Sequence, residues 1–188
     1  PDAVLLPANF DAYREYSRRF KAAVAEIAPC IEDRGIDEIF IDLTDIAEDS
    51  LPLARRIKQA VYDATGLTCS IGITPNKLLA KICSDLDKPD GITLLGLDEL
   101  PSRIWPLPAR KINGIGPKAN ERLAQMGITT VGDLATAPVD RLVRNFGQTM
   151  GAWLNQVAHG IDDRPIKTSR EPKSISREST FQRDLHAR

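Results

Sequence analysis

Apolar residues in the first hundred positions follow two alternating spacings, one typical of helices and one typical of strands. After Asn9, which suits an N-cap, they recur every three or four positions until Pro29, and this spacing predicts a first helix. The remaining predicted elements of this part are helices over about residues 51–65 and 75–87 and strands over residues 36–43, 67–73 and 92–95. Their alternation indicates an α/β or α+β layer whose sheet is incomplete.

The strand pattern disappears after Leu100, and short helical segments separated by glycine and proline replace it. These segments cover about residues 118–126, 130–136, 139–145 and 149–159. Residues 161–171 are charged and contain proline, which predicts a linker, and residues 173–181 have the pattern of a first strand beyond it. The fold class is therefore predicted to be α+β: a partial sheet packed with helices, followed by a small all-helical domain.

Composition narrows the class of protein further. Of the 188 residues, 42% are hydrophobic and 27% are charged, which suits one good core or two small ones. We find no apolar run of the roughly 18 to 20 residues that a membrane span needs and no leader pattern, so we expect neither a membrane nor a secreted protein. Cys30, Cys69 and Cys83 are odd in number and lack metal-ligand spacing, which predicts a reduced, cytoplasmic setting.

The formal net charge of -1 hides an asymmetry along the chain. Residues 1–100 carry 11 basic and 18 acidic side chains, a net charge of -7, whereas residues 101–188 carry 14 and 8, a net charge of +6. Such a division allows an acidic part that binds a cation and a basic part that binds a polyanion. A chance division of a neutral protein would look the same.

An acidic pair, Asp37 and Glu38, leads into an apolar strand in the segment 35–42, with sequence GIDEIFID. Neighbouring strand residues point to opposite faces, so the pair serves one site only if the chain bends there, which Gly35 allows. Mg²⁺ usually takes one or two carboxylates together with substrate phosphates. The pair is thus a candidate metal site. Its alternative is a charged strand entry that discourages edge pairing.

A lysine stripe runs along the predicted helix that Thr74 and Pro75 open. At 100° per residue, Lys77 and Lys81 lie about 40° apart, and Lys88 would return to the same face. The stripe could hold a triphosphate or a nucleic-acid backbone through point charges. A solvated helix face is the other interpretation.

The segment 111–118, with sequence KINGIGPK, places a Gly-x-Gly turn directly before a helix. Gly114 and Gly116 allow a tight turn with exposed N–H groups, and the helix start at Pro117 together with Lys118 makes a suitable phosphate site. With the apolar residues around it and the helix that follows, the turn resembles a helix-hairpin-helix module, which grips the DNA backbone. The same turn could simply join two helices.

Taken in order, these segments resemble the Y-family, or translesion, DNA polymerases. The segments that carry the resemblance are GIDEIFID at 35–42, SIGITPNK at 70–77 with Lys81 and KPDG at 88–91, NGIG at 113–116, and REPKSIS at 170–176. It implies a palm over residues 1–98 without its first strand and fingers, a thumb with a helix-hairpin-helix over 99–162, and a linker with the start of a little finger over 163–188.

The resemblance also implies roles for individual residues. Asp37 and Glu38 would be the catalytic carboxylates and Mg²⁺ ligands, with Glu38 at the primer 3′-OH, and Lys88 would touch the triphosphate of the incoming dNTP. The residues expected to contact primer-template DNA are Gly114, Gly116, Lys118 and Lys173. A sliding clamp is a further expected partner, through segments outside this chain, and a membrane is not expected.

Two departures from the family pattern shape the functional expectation. Gly35 stands where the family usually has serine, and the family's first strand, with its own metal-binding aspartate, would lie before Pro1. We therefore expect the chain to be a piece of a DNA polymerase and to be inactive by itself. A non-catalytic DNA-binding module that uses the helix-hairpin-helix is the alternative, and a nuclease with a hairpin thumb ranks third.

Overall fold

The computed structural model describes residues 3–169, 174–181 and 183. The elements of the first part are α1 (Phe10–Ala25), β1 (Ile31–Asp33), β2 (Ile39–Ile41), α2 (Ser50–Thr65), β3 (Ile71–Ile73), α3 (Lys77–Leu86) and β4 (Ile92–Leu94). The helical part consists of α4 (Pro117–Gln125), α5 (Val131–Thr136), α6 (Val139–Phe146) and α7 (Gln148–Ala158), preceded by short turns of helix between Leu97 and Lys111. The α+β class and the all-helical second part follow the prediction.

The strands of the described residues form two separate pairs. β1 and β2 pair antiparallel as a hairpin, with Glu32 opposite Phe40. β3 and β4 pair in parallel, with Ile71 opposite Ile92, and α3 forms the crossover between them. β1 is absent from the sequence-based prediction because its three residues include two acidic ones, and the other strands are shorter than predicted.

The start of α3 differs from the prediction by two residues. The helix begins at Lys77, and its N-cap is Asn76, whose side-chain Oδ1 accepts a hydrogen bond from the Leu79 amide at 3.0 Å. Thr74 and Pro75 lie before the helix, so Thr74 is not its N-cap. Asn is among the best N-cap residues, because its short amide reaches the free N–H groups of the first turn.

Two apolar clusters organise the described residues. The smaller cluster lies between α1 and α2 and contains Val24, Ala28, Leu53, Ile57 and Val61. The larger cluster joins the buried face of α3 to the helical part, and its fully buried leucines there include Leu123, Leu134, Leu142 and Leu154. Because α3 belongs to the larger cluster and also packs on β3 and β4, the helical part is joined to the parallel strand pair through α3.

The connection after the helical part returns to the first part. Residues 161–169 run without helix or strand along the N-terminal end of α3. Residues 174–181 likewise form neither helix nor strand, so the strand predicted over 173–181 is wrong for the described positions. A strand needs a hydrogen-bonding neighbour, and the described residues supply none there. Among the described residues, no helix is long and apolar enough to cross a bilayer.

Candidate active site and nucleic-acid interface

The β1–β2 hairpin presents the acidic pair at its turn. Gly35 has a φ of 155°, a backbone conformation that favours glycine, and the Arg34 amide donates to the Glu38 carbonyl oxygen at 3.0 Å to close the turn. Lys21 Nζ donates to the Gly35 carbonyl oxygen at 2.6 Å and to Asp33 at 2.8 Å, which fixes the turn on α1. Asp37 is exposed in this turn. The bend that Gly35 was expected to allow is present.

Glu38 is tied to a lysine of α3. Lys81 Nζ lies 2.6 Å from the Glu38 Oε2 atom, and both side chains are largely shielded from solvent. The hydrogen bond to Glu38 raises the pKa of Lys81, and the negative charges of Asp85 and Asp37 act in the same direction. Lys81 is therefore a fixed positive charge beside the acidic pair. The sequence placed Lys81 in a stripe and did not reveal this contact.

A cavity of about 1020 Å³ connects the acidic pair with the lysines of α3 and its end. Asp37, Glu38, Lys81 and Lys88 all line it, although Lys88 follows Glu38 by fifty positions in sequence. Residues of both β2 and β3 also line this cavity, and neither of these strands pairs with the other. The predicted catalytic and triphosphate-binding residues thus share one space.

The lysine stripe is only partly available to a ligand. Lys77 lines the same cavity as Lys81 and Lys88, but it is buried and its Nζ lies 2.7 Å from Glu32, so for this residue the solvated helix face is wrong and a protein carboxylate already holds its charge. Lys77 faces the hairpin, where its ammonium group lies 5.7 Å from the centre of the Phe40 ring. Lys88 remains more than half exposed, with its Nζ 2.6 Å from Asp85.

Asp85 lies between the two parts of the molecule. The hydrogen bond from Lys88 lowers the pKa of Asp85, and the charges of Lys81 and Lys111 lower it further. Lys81 and Asp85 also line a second cavity of about 440 Å³, whose other wall is residues 110–116. Lys81 therefore lies at both cavities and links the acidic pair to the Gly-x-Gly turn.

The Gly-x-Gly turn contains two glycines with different requirements. Gly114 has a φ of 110°, and a Cβ there would approach the Trp153 ring to 2.7 Å, so the fold itself needs glycine. Gly116 is the N-cap of α4 with a φ of -76°, and a Cβ there would meet nothing within 4 Å. Lys118, in the first turn of α4, is exposed. The free space at Gly116 leaves the N–H groups of α4 open to approach.

The second helix of this module begins with a reciprocal cap. Thr130 Oγ1 accepts from the Asp133 amide at 3.0 Å, and Asp133 Oδ2 accepts from the Thr130 amide at 2.8 Å and the Thr129 amide at 2.9 Å. These backbone hydrogen bonds lower the pKa of Asp133 to about 2. The cap satisfies free N–H groups at the start of α5 and so defines where that helix begins.

The donor set around Asp37 suits a magnesium ion that also holds substrate phosphates. Asp37 and Glu38 supply carboxylate oxygens, and one or two carboxylates with phosphates and water complete a Mg²⁺ shell. Within the described ranges, no group of three or more His, Cys, Asp and Glu side chains is placed to hold a metal by itself. Lys173 lies outside the described residues.

Comparison with known proteins agrees with these features. Residues 1–85 match the impB/mucB/samB family, and residues 110–162 match the thumb domain of DNA polymerase iota. DNA polymerase IV of Moorella thermoacetica is 39% identical over 98% of this chain and 47% of its own length. DNA polymerase IV of Methanoculleus marisnigri is 42% identical over 98% of this chain and 51% of its own length. The chain thus spans about half the length of the curated relatives it matches.

Solved structures show the same similarity in three dimensions. A chimeric Y-family DNA polymerase superposes with a TM-score of 0.79 at 30% identity, over 90% of this chain and 51% of that one. DinB from Sulfolobus solfataricus superposes with a TM-score of 0.78 at 28% identity, over 89% of this chain and 50% of its own. The partial sheet with its helices corresponds to the palm and the helical part to the thumb. The chain therefore belongs to the Y-family of DNA polymerases.

Proposed function

We propose that the whole protein is a template-directed DNA polymerase of the translesion type, which transfers a nucleotide from a dNTP to a primer 3′-OH. The observation that carries this proposal is the shared cavity, in which Asp37 and Glu38 of the hairpin meet Lys81 and Lys88 of the α3 region. Carboxylates on one side and cationic side chains on the other suit a metal-bound triphosphate. The similarity to DNA polymerase IV supports the same reaction.

Each residue of this site has a role in the proposal. Asp37, exposed in the turn, ligates Mg²⁺, which stabilises the attacking and leaving oxygens when it is bound. Glu38 lies at the primer 3′-OH, where it ligates the metal or accepts the hydroxyl proton. Lys88, more than half exposed at the cavity, neutralises charge on the triphosphate. Lys81 holds Glu38 in place through their 2.6 Å contact.

The thumb supplies the grip on primer-template DNA. Open space surrounds Gly116 at the start of α4, and Lys118 adds a positive charge two residues further, within the first turn. Phosphates bind well at such helix starts, because the free N–H groups point at the anion. Gly114 shapes the turn, and Lys173 extends the contact in the proposal. Backbone contacts of this kind hold DNA without reading its sequence, as a polymerase requires.

We also propose the division into a palm over 1–98, a thumb over 99–162 and a linker with the start of a little finger over 163–188. A cytoplasmic location is part of the proposal and is supported by the three cysteines, all of which are free thiols. A sliding clamp remains a prediction of the family resemblance alone.

The acidic pair can be tested in the whole protein by primer extension with Mg²⁺ and all four dNTPs. Asp37→Asn is expected to lower the rate of incorporation by about three orders of magnitude or more, because it removes a metal ligand. Asp45→Asn is the matched control, since Asp45 is an exposed carboxylate of the same part of the chain. Unchanged incorporation by Asp37→Asn would contradict the proposed site.

The 188-residue chain alone is expected to give no more extension than its Asp37→Asn variant. Within its described residues no group of three or more His, Cys, Asp and Glu side chains is placed to hold a metal, whereas a two-metal site draws on more oxygen ligands than Asp37 and Glu38 supply. Robust extension by this chain would show that Asp37 and Glu38 suffice.

A non-catalytic DNA-binding module is the second candidate function. It is favoured by the complete Gly-x-Gly turn and the capped α5, which need nothing from the acidic pair. Mg²⁺-dependent dNTP binding to the whole protein distinguishes the two candidates. Binding that Asp37→Asn abolishes supports the polymerase, whereas DNA binding without any dNTP binding supports the module.

A further inference from the structure

The connecting segment after the thumb is fastened to the palm at several points. Asn76 Nδ2 donates to the Gly160 carbonyl oxygen at 2.7 Å, and the Leu78 amide donates to Asp162 Oδ2 at 3.0 Å. Further along, Lys77 Nζ donates to the Pro165 carbonyl oxygen at 2.8 Å. All three donors belong to the first turn of α3 or its cap, so one helix end holds residues 160–165.

A buried ion pair lies beneath this segment. Glu32 of β1 is fully buried, and its Oε2 accepts from Lys77 Nζ at 2.7 Å and from the Lys167 amide at 3.0 Å. Arg34 lies 3.4 Å from the other carboxylate oxygen. Lys77 is only 9% exposed, and Phe40 of the paired strand lies within 5.7 Å of its ammonium group. Lysine and glutamate are rarely this buried unless they are paired with each other.

The segment has an internal brace of its own. Arg164 Nε and Nη2 donate to the two oxygens of Asp162 at 2.6 and 2.9 Å, a bidentate contact. Burial acts to raise the pKa of Asp162, but Arg164 and the Leu78 amide outweigh it and lower the pKa. Asp162 therefore stays ionised and caps α3 with a full negative charge.

We propose that Glu32 and Lys77 form a latch that fixes residues 160–167 on the palm and thereby positions the basic segment that follows. Residues 168–188 carry five basic and three acidic side chains, a net charge of +2. A basic segment binds a polyanion most tightly when one end is already held in place, because less chain entropy is then lost. Lys77 is thus a positioning residue, and it is not a phosphate ligand.

The direct test is amide hydrogen exchange of the 188-residue chain, followed by NMR. The double variant Glu32→Gln/Lys77→Met removes the latch without leaving a buried charge unpaired, and Asp162→Asn weakens the cap from the other side. We expect exchange at the Lys167 amide in the double variant, and at the Leu78 amide in Asp162→Asn, to accelerate about tenfold or more. The Gly132 amide, bonded to the Trp105 carbonyl oxygen within the thumb, is the internal reference.

Asp163→Asn is the matched control, since Asp163 is the exposed neighbour of Asp162 and should leave both amides protected. The latch is overturned if Lys167 exchanges at the wild-type rate in a double variant whose Gly132 amide stays protected. If amides throughout the chain lose their protection in the double variant, the variant is generally destabilised and Asp162→Asn becomes the deciding test. Asp162 lies in the connecting segment itself. Unchanged exchange at Leu78 there would also overturn the latch.

Positioning is tested by affinity for a labelled primer-template, and this part of the inference rests on the proposed DNA binding. We expect the double variant to bind about three- to tenfold more weakly than wild type, and its salt dependence to become shallower as phosphate contacts are lost. In the whole protein the loss should appear in KM for DNA, with kcat at saturating DNA retained. Faster exchange with unchanged affinity would overturn the positioning role, whereas a wild-type chain that binds no DNA would contradict the proposed function.

Discussion

The palm and the thumb of this chain are stabilised in different ways. Twenty buried residues from α3 through α7 form the larger cluster, which includes four fully buried leucines of the thumb. The cluster between α1 and α2 contains five, while Ile39, Ile41 and Ile71 beside it are only partly buried and the hairpin and β3 line an open cavity. The thumb thus has a well-buried core, which it shares with α3 of the palm. The palm keeps apolar and acidic side chains accessible where the proposed chemistry takes place.

The Glu32–Lys77 ion pair, which holds the palm to the segment after the thumb, should show the largest loss of stability when one partner is replaced. Lys77→Met removes a buried counter-charge that lies 2.7 Å from the Glu32 carboxylate, so we expect the free energy of unfolding to fall by about 3–5 kcal/mol. The double variant Glu32→Gln/Lys77→Met should lose much less, because neither charge then remains buried. Urea denaturation of both variants and wild type measures the difference. Equal losses in the single and double variants would show that the pair does not hold the palm to the segment after the thumb.

Truncation of a buried side chain in the thumb core should give the next largest loss of stability. Leu154→Ala removes a fully buried side chain of α7 and is expected to cost about 2–5 kcal/mol. Ile41→Ala, in the partly exposed hairpin, should cost clearly less, because part of its surface already contacts solvent. Urea denaturation followed by circular dichroism compares the two. A larger loss for Ile41→Ala would mean that the palm is packed as completely as the thumb.

The sequence revealed the two turns that carry the proposed function but not the contacts that orient them. Asp37 and Glu38 after Gly35, and Gly114 with Gly116 before Pro117, are local patterns, since the residues that bend the chain are neighbours of those that act. The thumb helices could likewise be predicted from the sequence, because each places apolar residues at helical spacing.

The sequence pattern did not predict contacts between residues that are far apart along the chain. Glu32 falls outside every element that the sequence predicts, yet it lies in β1 and is buried, where Lys77, 45 positions later, and the Lys167 amide, 135 positions later, contact it. Lys81 lies one helical turn after Lys77 on the same face of α3, but its ion pair is with Glu38, whereas that of Lys77 is with Glu32. Periodicity gives the face of a helix, whereas the partner on that face depends on how the elements pack.

The two glycines of the Gly-x-Gly turn allow the stability of the fold and the binding of DNA to be tested separately. Gly114→Ala is expected to destabilise the chain by about 1–3 kcal/mol, because its Cβ would strike Trp153 and its φ is positive. Gly116→Ala should change stability by less than about 0.5 kcal/mol, since open space surrounds that position. Thermal denaturation and DNA titration of both variants give the comparison. Gly116→Ala with wild-type DNA affinity would contradict a phosphate contact at this turn.

The smallest expected effect concerns the cap of α5, which tests whether the thumb's polar surface matters as its core does. Backbone hydrogen bonds lower the folded-state pKa of Asp133 to about 2, below its ordinary value, so the carboxylate stabilises the fold above pH 4. That contribution should disappear as the pH falls from about 4 to about 2, and Asp133→Asn should remove about 1 kcal/mol at neutral pH. Urea denaturation of wild type and Asp133→Asn across this range should give two curves that converge in acid. Curves that stay parallel would show that the Asp133 carboxylate contributes nothing to the acid sensitivity of the fold, and that the thumb depends on its apolar core and not on this cap.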